Sequence, residues 1–193
     1  MSNSVRRLPQ ASQLLRVLAL TAVILVGSTA CGSNDQPDAA ASTDSASAAD
    51  EAQAAVDAGL EAHAAGRLGK AAKLYDEALD ADPTNQYAFY NLALLDEAAG
   101  NYGLAEDNYR SALDNDDEYG PALFNLAILR AAADDPDEAI SLYERAVGVD
   151  KKDAAAWLNL GLLLREEGKE RAGDKNVLRA LALDPALEDP AGR

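Results

Sequence analysis

The chain has 193 residues, enough for one ordinary domain with appendages, and 48% of them are hydrophobic, much of that alanine, while aromatics make up 5%. Such a composition suits closely packed helices better than a sheet or a large enclosed pocket. A formal charge of −16 argues against a nucleic-acid role, which needs clustered Lys and Arg, and suggests partners that are basic or weakly charged.

Residues 1–16 hold Arg6, Arg7 and Arg16 and no acidic side chain. Val17 to Val26 is apolar apart from Thr21, and Gly27-Ser28-Thr29-Ala30-Cys31 follows. A basic start, a short apolar centre and a small-residue end describe a secretory signal. The apolar run is too short for the roughly 20 residues of a bilayer span. Thr29-Ala30-Cys31 resembles a bacterial lipobox, in which a cysteine is lipidated and becomes the first mature residue. Ser28 departs from it, standing where that motif usually has leucine. The resemblance implies residues 1–30 as a lipoprotein signal peptide, Cys31 as the lipidation site, and a chain lipid-anchored on the extracytoplasmic side of a bacterial cell membrane. Ordinary secretion and an uncleaved N-terminal anchor are the alternatives. Cleavage before Cys31 removes the three arginines and leaves 14 basic against 33 acidic residues, a charge of −19, which anionic headgroups would repel but for the lipid.

Ser33 to Asp50 contains no large apolar residue. It is expected, within residues 31–51, to be a disordered tether with a reach of about 20–25 Å.

From Ala52 to Leu187 the sequence repeats with a period of 34, in copies 52–85, 86–119, 120–153 and 154–187. The second copy shows it best, with Asn91-Leu92-Ala93, Gly100, Ala105, Tyr109 and Ala112. Asn125-Leu126-Ala127, Ala139, Tyr143 and Ala146 follow one period on, then Asn159-Leu160-Gly161, Gly168, Gly173, Val177 and Ala180. Within a copy, Ala71, Leu74, Tyr75, Ala78 and Leu79 fall at i, i+3, i+4, i+7 and i+8, one apolar face of an amphipathic helix. Gly66, Gly100, Gly168, Pro83 and Pro185 signal turns. In the third copy Asp134-Asp135-Pro136 replaces the glycine turn, with Asp135 as N-cap and Pro136 as first helical residue. Asp117 and Lys151 stand where the first and fourth copies have proline, and those turns are expected to be softer.

These places resemble the tetratricopeptide repeat (TPR), two antiparallel helices per 34 residues. The resemblance implies an all-α fold, an α-solenoid of four TPR helix-turn-helix repeats with eight antiparallel helices. Copy one, with only alanines at Ala55, Ala58 and Ala62 on its first helix, is expected to be the loosest. Residues 188–193 form a short tail, so the last helix is expected to serve as its own polar cap.

The same resemblance implies a concave groove lined by the first helices. Its contact residues would be Tyr87, Tyr90, Asn91 and Leu94 in copy two, Phe124, Asn125 and Ile128 in copy three, and Leu158, Asn159, Leu162 and Arg165 in copy four. Asn91, Asn125 and Asn159 would form a ladder able to pair with a peptide backbone of any sequence, or else each bonds a neighbouring helix. Members that grip a C-terminal carboxylate use groove lysines and arginines. Here Arg165 is nearly alone, so no carboxylate clamp is expected.

No catalytic constellation is evident. His63 is the single histidine and Cys31 the single cysteine, which excludes a multi-histidine metal site, an internal disulfide framework and a multi-thiolate metal site, and His63 is expected to be an ordinary semi-exposed residue rather than the partner of a nucleophile. In the acidic run Asp114-Asn115-Asp116-Asp117-Glu118, an EF-hand register puts Tyr119 at the glycine place and Asn125 at the glutamate place, so calcium is not expected. The sequence thus predicts a non-enzymatic adaptor or scaffold without a cofactor, held at the membrane by lipid and binding a protein or peptide partner. A structural subunit of a cell-envelope assembly is the competing reading.

Overall fold

The structure, a computed structural model, describes residues 42–190 and 192, with side chains from Ser47 onward. The leader, Cys31 and the first part of the tether lie outside the described residues. Among the described residues there are eight helices and no strand. They are α1 (Ser42–Ala64), α2 (Leu68–Ala81), α3 (Gln86–Ala99), α4 (Tyr102–Asn115), α5 (Gly120–Ala132), α6 (Pro136–Val149), α7 (Ala154–Glu166) and α8 (Glu170–Leu183). Each copy contributes one hairpin, and packing is more extensive within a hairpin than between successive ones.

Ser42–Asp50, expected from its composition to be disordered, is helical, because α1 begins at Ser42. Without large apolar residues, Ser42–Asp50 has little means of nucleating a helix, but it needs only to propagate one already packed from Ala52 onward. Its alanines favour that extension. On the exposed side the Ser47 hydroxyl meets Glu51 Oε1 at 3.4 Å and Gln53 Nε2 donates to Asp57 Oδ1 at 2.8 Å, pairs one helical turn apart.

Small residues set the spacing inside each hairpin. A Cβ on Gly161 would lie 2.7–2.9 Å from Val177 and the Gly173 carbonyl, and a Cβ on Gly173 would lie 2.6 Å from the Gly161 carbonyl. In copy one the Tyr75 ring occupies the space a Cβ on Gly59 would need. Copies two and three pair alanines there, Ala93 with Ala105 and Ala127 with Ala139, all fully buried. Tyr75, Tyr109 and Tyr143 fill the volume beside these contacts and are themselves fully buried.

The turns between α3 and α4 and between α7 and α8 rest on Gly100 (φ 81°) and Gly168 (φ 73°). Asp134 takes the same left-handed conformation (φ 64°) in copy three, the place where an aspartate is best tolerated after glycine and asparagine. Asp135 then caps α6 by accepting from the Glu138 amide at 3.3 Å, with Pro136 in the first turn, as the sequence indicates.

Between copies the turns keep one geometry with or without proline. Asp82, Asp116, Asp150 and Asp184 each end a helix in extended backbone. Each carboxylate accepts from the amide two residues on, at 3.0, 3.2, 2.8 and 2.9 Å. An aspartate with a period of 34, rather than proline, is the common element of these turns.

One core cluster runs continuously from α3 to α7, while α1–α2 have a smaller cluster of their own and α8 packs through Val177 and Ala180 against Leu158. The C-terminal tail contributes to the closure expected of the last helix alone. Leu187 packs against that third cluster, and the Asp189 side chain, only 5% exposed, pairs with Arg165 at 2.8 Å.

Candidate functional site: an aromatic face on the first helices

Tyr87, Tyr90 and Tyr119 come together at the junction of copies two and three. Tyr119 stands edge-on to both, with ring centroids 5.5 Å from Tyr87 and 5.3 Å from Tyr90. Tyr90 also leans on Tyr109 at 5.8 Å, and one repeat further Phe124 meets Tyr143 at the same distance. Tyr87 is 42% exposed; Tyr90, Tyr119, Phe124, Leu94 and Ile128 are half-buried. The face therefore combines partly exposed aromatic and aliphatic side chains above the buried Tyr109 and Tyr143, an amphipathic surface suited to contact with another chain.

Tyr119 occupies a place that local structure assigns to another residue type. Its equivalents Asn85 and Asp153 cap α3 and α7, accepting from the Ala88 and Ala156 amides at 2.9 Å each. Tyr119 precedes α5 and makes no side-chain cap, although Asn or Asp there contributes about 1 kcal/mol. Tyr119 is hard to recognise from periodicity because it falls at the boundary of two copies. The signal was the missing cap residue at a period of 34.

Glu97 gives the face its charge. Its Oε2 accepts from the Tyr109 hydroxyl at 2.9 Å. Burial pushes the Tyr109 hydroxyl far above its ordinary value, and the Glu97 charge pushes it further. Tyr90 is raised by burial and by Glu97 against the hydrogen bond from Asn125, and Tyr119 is raised by burial and its tyrosine neighbours. All three are neutral phenols at physiological pH.

The arginines on and beside the first helices of copies two to four are already paired. Arg130 lies 3.0 Å from Glu106, 2.6 Å from Asp135 and 2.7 Å from Glu138. Arg110 joins Glu106 and Glu138 at 2.9 and 2.7 Å. Arg165, with a side chain 12% exposed, is held by Asp174 and Asp189. It is not offered to a ligand as the sequence reading had it.

The asparagine ladder divides. Asn159 is 5% exposed and donates to the Tyr143 hydroxyl at 3.3 Å. Asn125, half-buried, donates to the Tyr90 hydroxyl at 3.2 Å. Asn91, 7% exposed, donates to the carbonyl of Tyr87 in its own helix at 2.7 Å. Leu158 is also buried, at 4%. Asn159 is thus a core group joining copies three and four, and Leu158 a core group within copy four. Leu162 is half-buried against the Leu158 cluster. Of the residues expected in the groove of copies two and three, Tyr87, Tyr90, Leu94, Phe124, Asn125 and Ile128 keep some exposure, and Tyr119 joins them.

Among the described residues no group of three or more His, Cys, Asp and Glu side chains is placed to hold a metal ion, and no helix is long and apolar enough to cross a membrane.

Four stacked helix hairpins with small residues at their crossings and a fixed 34-residue register define a TPR-like solenoid. Residues 57–184, about two thirds of the chain, match the family described as the middle TPR-like domain of cilia and flagella-associated protein 70, and the chain belongs to that family. No curated protein matches its sequence significantly. Solved structures of the same fold include MamA, at 19% identity and a TM-score of 0.63, covering 69% of this chain and 78% of that one. YrrB, described as a TPR protein with an unusual peptide-binding site, aligns at 23% identity and 0.62 over 68% of both chains. The first TPR domain of Spaghetti (RPAP3), bound to the HSP90 peptide SRMEEVD, aligns at 22% identity and 0.58 over 62% of this chain and 95% of that one.

Proposed function

We propose that this protein is a membrane-anchored, extracytoplasmic adaptor that binds an extended segment of a partner protein on the aromatic face of copies two and three. The observation that carries the reading is Tyr119. A helix start that forgoes its cap to place a ring beside Tyr87 and Tyr90 breaks a local rule, and such departures concentrate at functional sites. Peptide binding by YrrB and by the RPAP3 domain is consistent with this use of the fold.

With Glu97 at the edge of the tyrosines and Arg110, Arg130 and Arg165 neutralised by carboxylates, the face favours a segment with apolar residues next to Lys or Arg, whose cations can rest on the rings. It disfavours a terminal carboxylate. The anchor rests on the sequence of residues 1–31, with lipid at Cys31. Cys31→Ala is expected to abolish acyl labelling and release the protein from membranes, and retention by a protease-resistant N-terminus would point to an uncleaved anchor.

Selection from a displayed random-peptide library tests the binding face. Wild-type protein should enrich apolar–basic peptides, and both Tyr119→Ala and Tyr119→Asn should lose that enrichment. Because asparagine restores the cap, the Asn variant should be more stable than the Ala variant by about 1 kcal/mol in denaturant titration. Enrichment that survives both substitutions would remove the aromatic face as the site.

A further inference from the structure

The net charge is unevenly distributed. Residues 42–140 contain 21 acidic and 5 basic side chains, whereas residues 141–190 contain 10 and 8. Three of the eight basic residues of the second part meet at a depression of about 550 Å³ between α6 and α8, lined by Val147, Gly148, Lys151, Trp157, Lys175 and Arg179, with Glu144 and Asn176 completing its rim. It is formed by α6, α8, the turn between copies three and four and the start of α7, and shares no residue with the aromatic face.

Trp157, the chain's single tryptophan, is fixed in this depression. Its Nε1 donates to the Lys151 carbonyl at 3.1 Å, and the Arg179 guanidinium sits 5.0 Å from its ring centroid. Arg179 also reaches that carbonyl at 3.4 Å. Gly148, where copies one and two have Asp80 and Asp114, has open space around its missing Cβ. Among the described residues Lys151, Lys175 and Arg179 have no carboxylate ion-pair partner. The nearby Asp150 and Asp153 turn an oxygen each to the Lys152 and Ala156 amides. Glu144 alone among the lining residues opposes the three cations.

We infer that this depression is a second binding site, for an acidic peptide segment carrying an apolar side chain beside its carboxylates. Lys151, Lys175 and Arg179 would meet the carboxylates, and Trp157 with Val147 would take the apolar group. Concavity and charge both favour a peptide over a membrane surface. A planar bilayer would face the 16 excess acidic charges of residues 42–140, whereas a narrow segment meets only what lies within about one Debye length, roughly 8–10 Å.

Trp157 reports directly on the site. Titrating the full chain with a synthetic Glu-Leu-Asp-Leu-Glu peptide should change its fluorescence saturably, with affinity falling as salt rises. The isosteric Gln-Leu-Asn-Leu-Gln peptide should leave it unchanged. Lys151→Glu with Lys175→Glu, both exposed and clear of the core, should weaken binding at least about tenfold with unaltered circular dichroism. Tyr87→Ala should leave it intact, which separates this site from the aromatic face. Absence of a saturable change, or equal affinity in the double variant, would overturn the inference. So would a response to inorganic phosphate or to phosphatidylglycerol vesicles in place of the peptide, and so would concentration-dependent self-association in sedimentation that accounts for the signal.

Discussion

At the scale of single residues, the asparagines show how one residue type serves different ends at equivalent places. Asn159 lies 16 residues after Tyr143 and supplies the partner its buried hydroxyl needs. Asn125 has the same relation to Tyr109 and acts on that hydroxyl and on Tyr90. Asn91 has the same relation to Tyr75, but it turns to its own helix. The Tyr75 hydroxyl is left buried without a partner among the described residues, and burial pushes it up to about 12. Removing one partner of a buried pair costs about 1–3 kcal/mol, more than the net value of the bond. Asn159→Ala is therefore expected to lower unfolding stability by that amount in urea, whereas Asn91→Ala, which orphans no side chain, should cost less than about 1 kcal/mol. Equal losses at the two positions would contradict the assignment of Asn159 to the core.

At the scale of the helices, the hairpin crossing is the element on which the register depends. Gly161 and Gly173 bring α7 and α8 so close that a methyl group at 161 would meet backbone atoms as well as Val177. Gly161→Ala is expected to destabilise by about 1–3 kcal/mol through overpacking. Gly103→Ala, with open space around it in the first turn of α4, should be neutral or stabilise by up to about 1 kcal/mol. Thermal melts of the two variants should move in opposite directions or differ by several degrees. The crossings were legible in the sequence because packing imposes small residues at a fixed period, and so were the buried tyrosines beside them. The inter-copy turns were harder to read. Proline draws the eye at positions 83 and 185, yet the hydrogen bonds belong to Asp82, Asp116, Asp150 and Asp184. The binding face was half legible. Periodicity locates Tyr87, Tyr90 and Phe124 on one side of the first helices, but it cannot tell that Leu158 and Asn159 are covered by a neighbour or that Tyr119 swings in from the turn. The start of α1 at Ser42 escaped because composition reports nucleation, while a packed helix needs only to be extended.

For the whole molecule, stability is distributed along a line of hairpins, and two observables follow. The first is acid sensitivity centred on Arg130. Burial would raise the Glu106 carboxyl, but Arg110 and Arg130 outweigh it and hold it below its ordinary value; the Arg130 hydrogen bond and the Glu138 amide lower Asp135. Lowered folded-state values stabilise the fold above the unfolded carboxyl range near pH 4, and this contribution disappears as pH falls through the folded values. Glu166, raised by burial and by Glu167, has the opposite sign, losing its contribution as pH rises through its folded value. The melting temperature should thus hold from pH 7 to about 5 and drop below about 4, with Arg130→Met lowering the neutral value by a few degrees and flattening the acid limb. The second observable is the order of opening. Nearest-neighbour coupling makes a solenoid open from its least supported end. In copy one α1 buries only Ala52, Val56, Gly59 and Ala62, its core is separate from the main one, and its tyrosine hydroxyl is unpaired among the described residues. At the other end α8 is pinned by Leu187 and by the Arg165–Asp189 pair. Native-state hydrogen exchange should therefore show amides of α1 and α2 opening first, α8 next, and α4 to α6 only with global unfolding. Arg165→Ala should release α8 to exchange as fast as α2 without changing α1. Uniform exchange across all eight helices would mean that the chain unfolds as one cooperative unit, and that the separate core of copy one has no energetic counterpart.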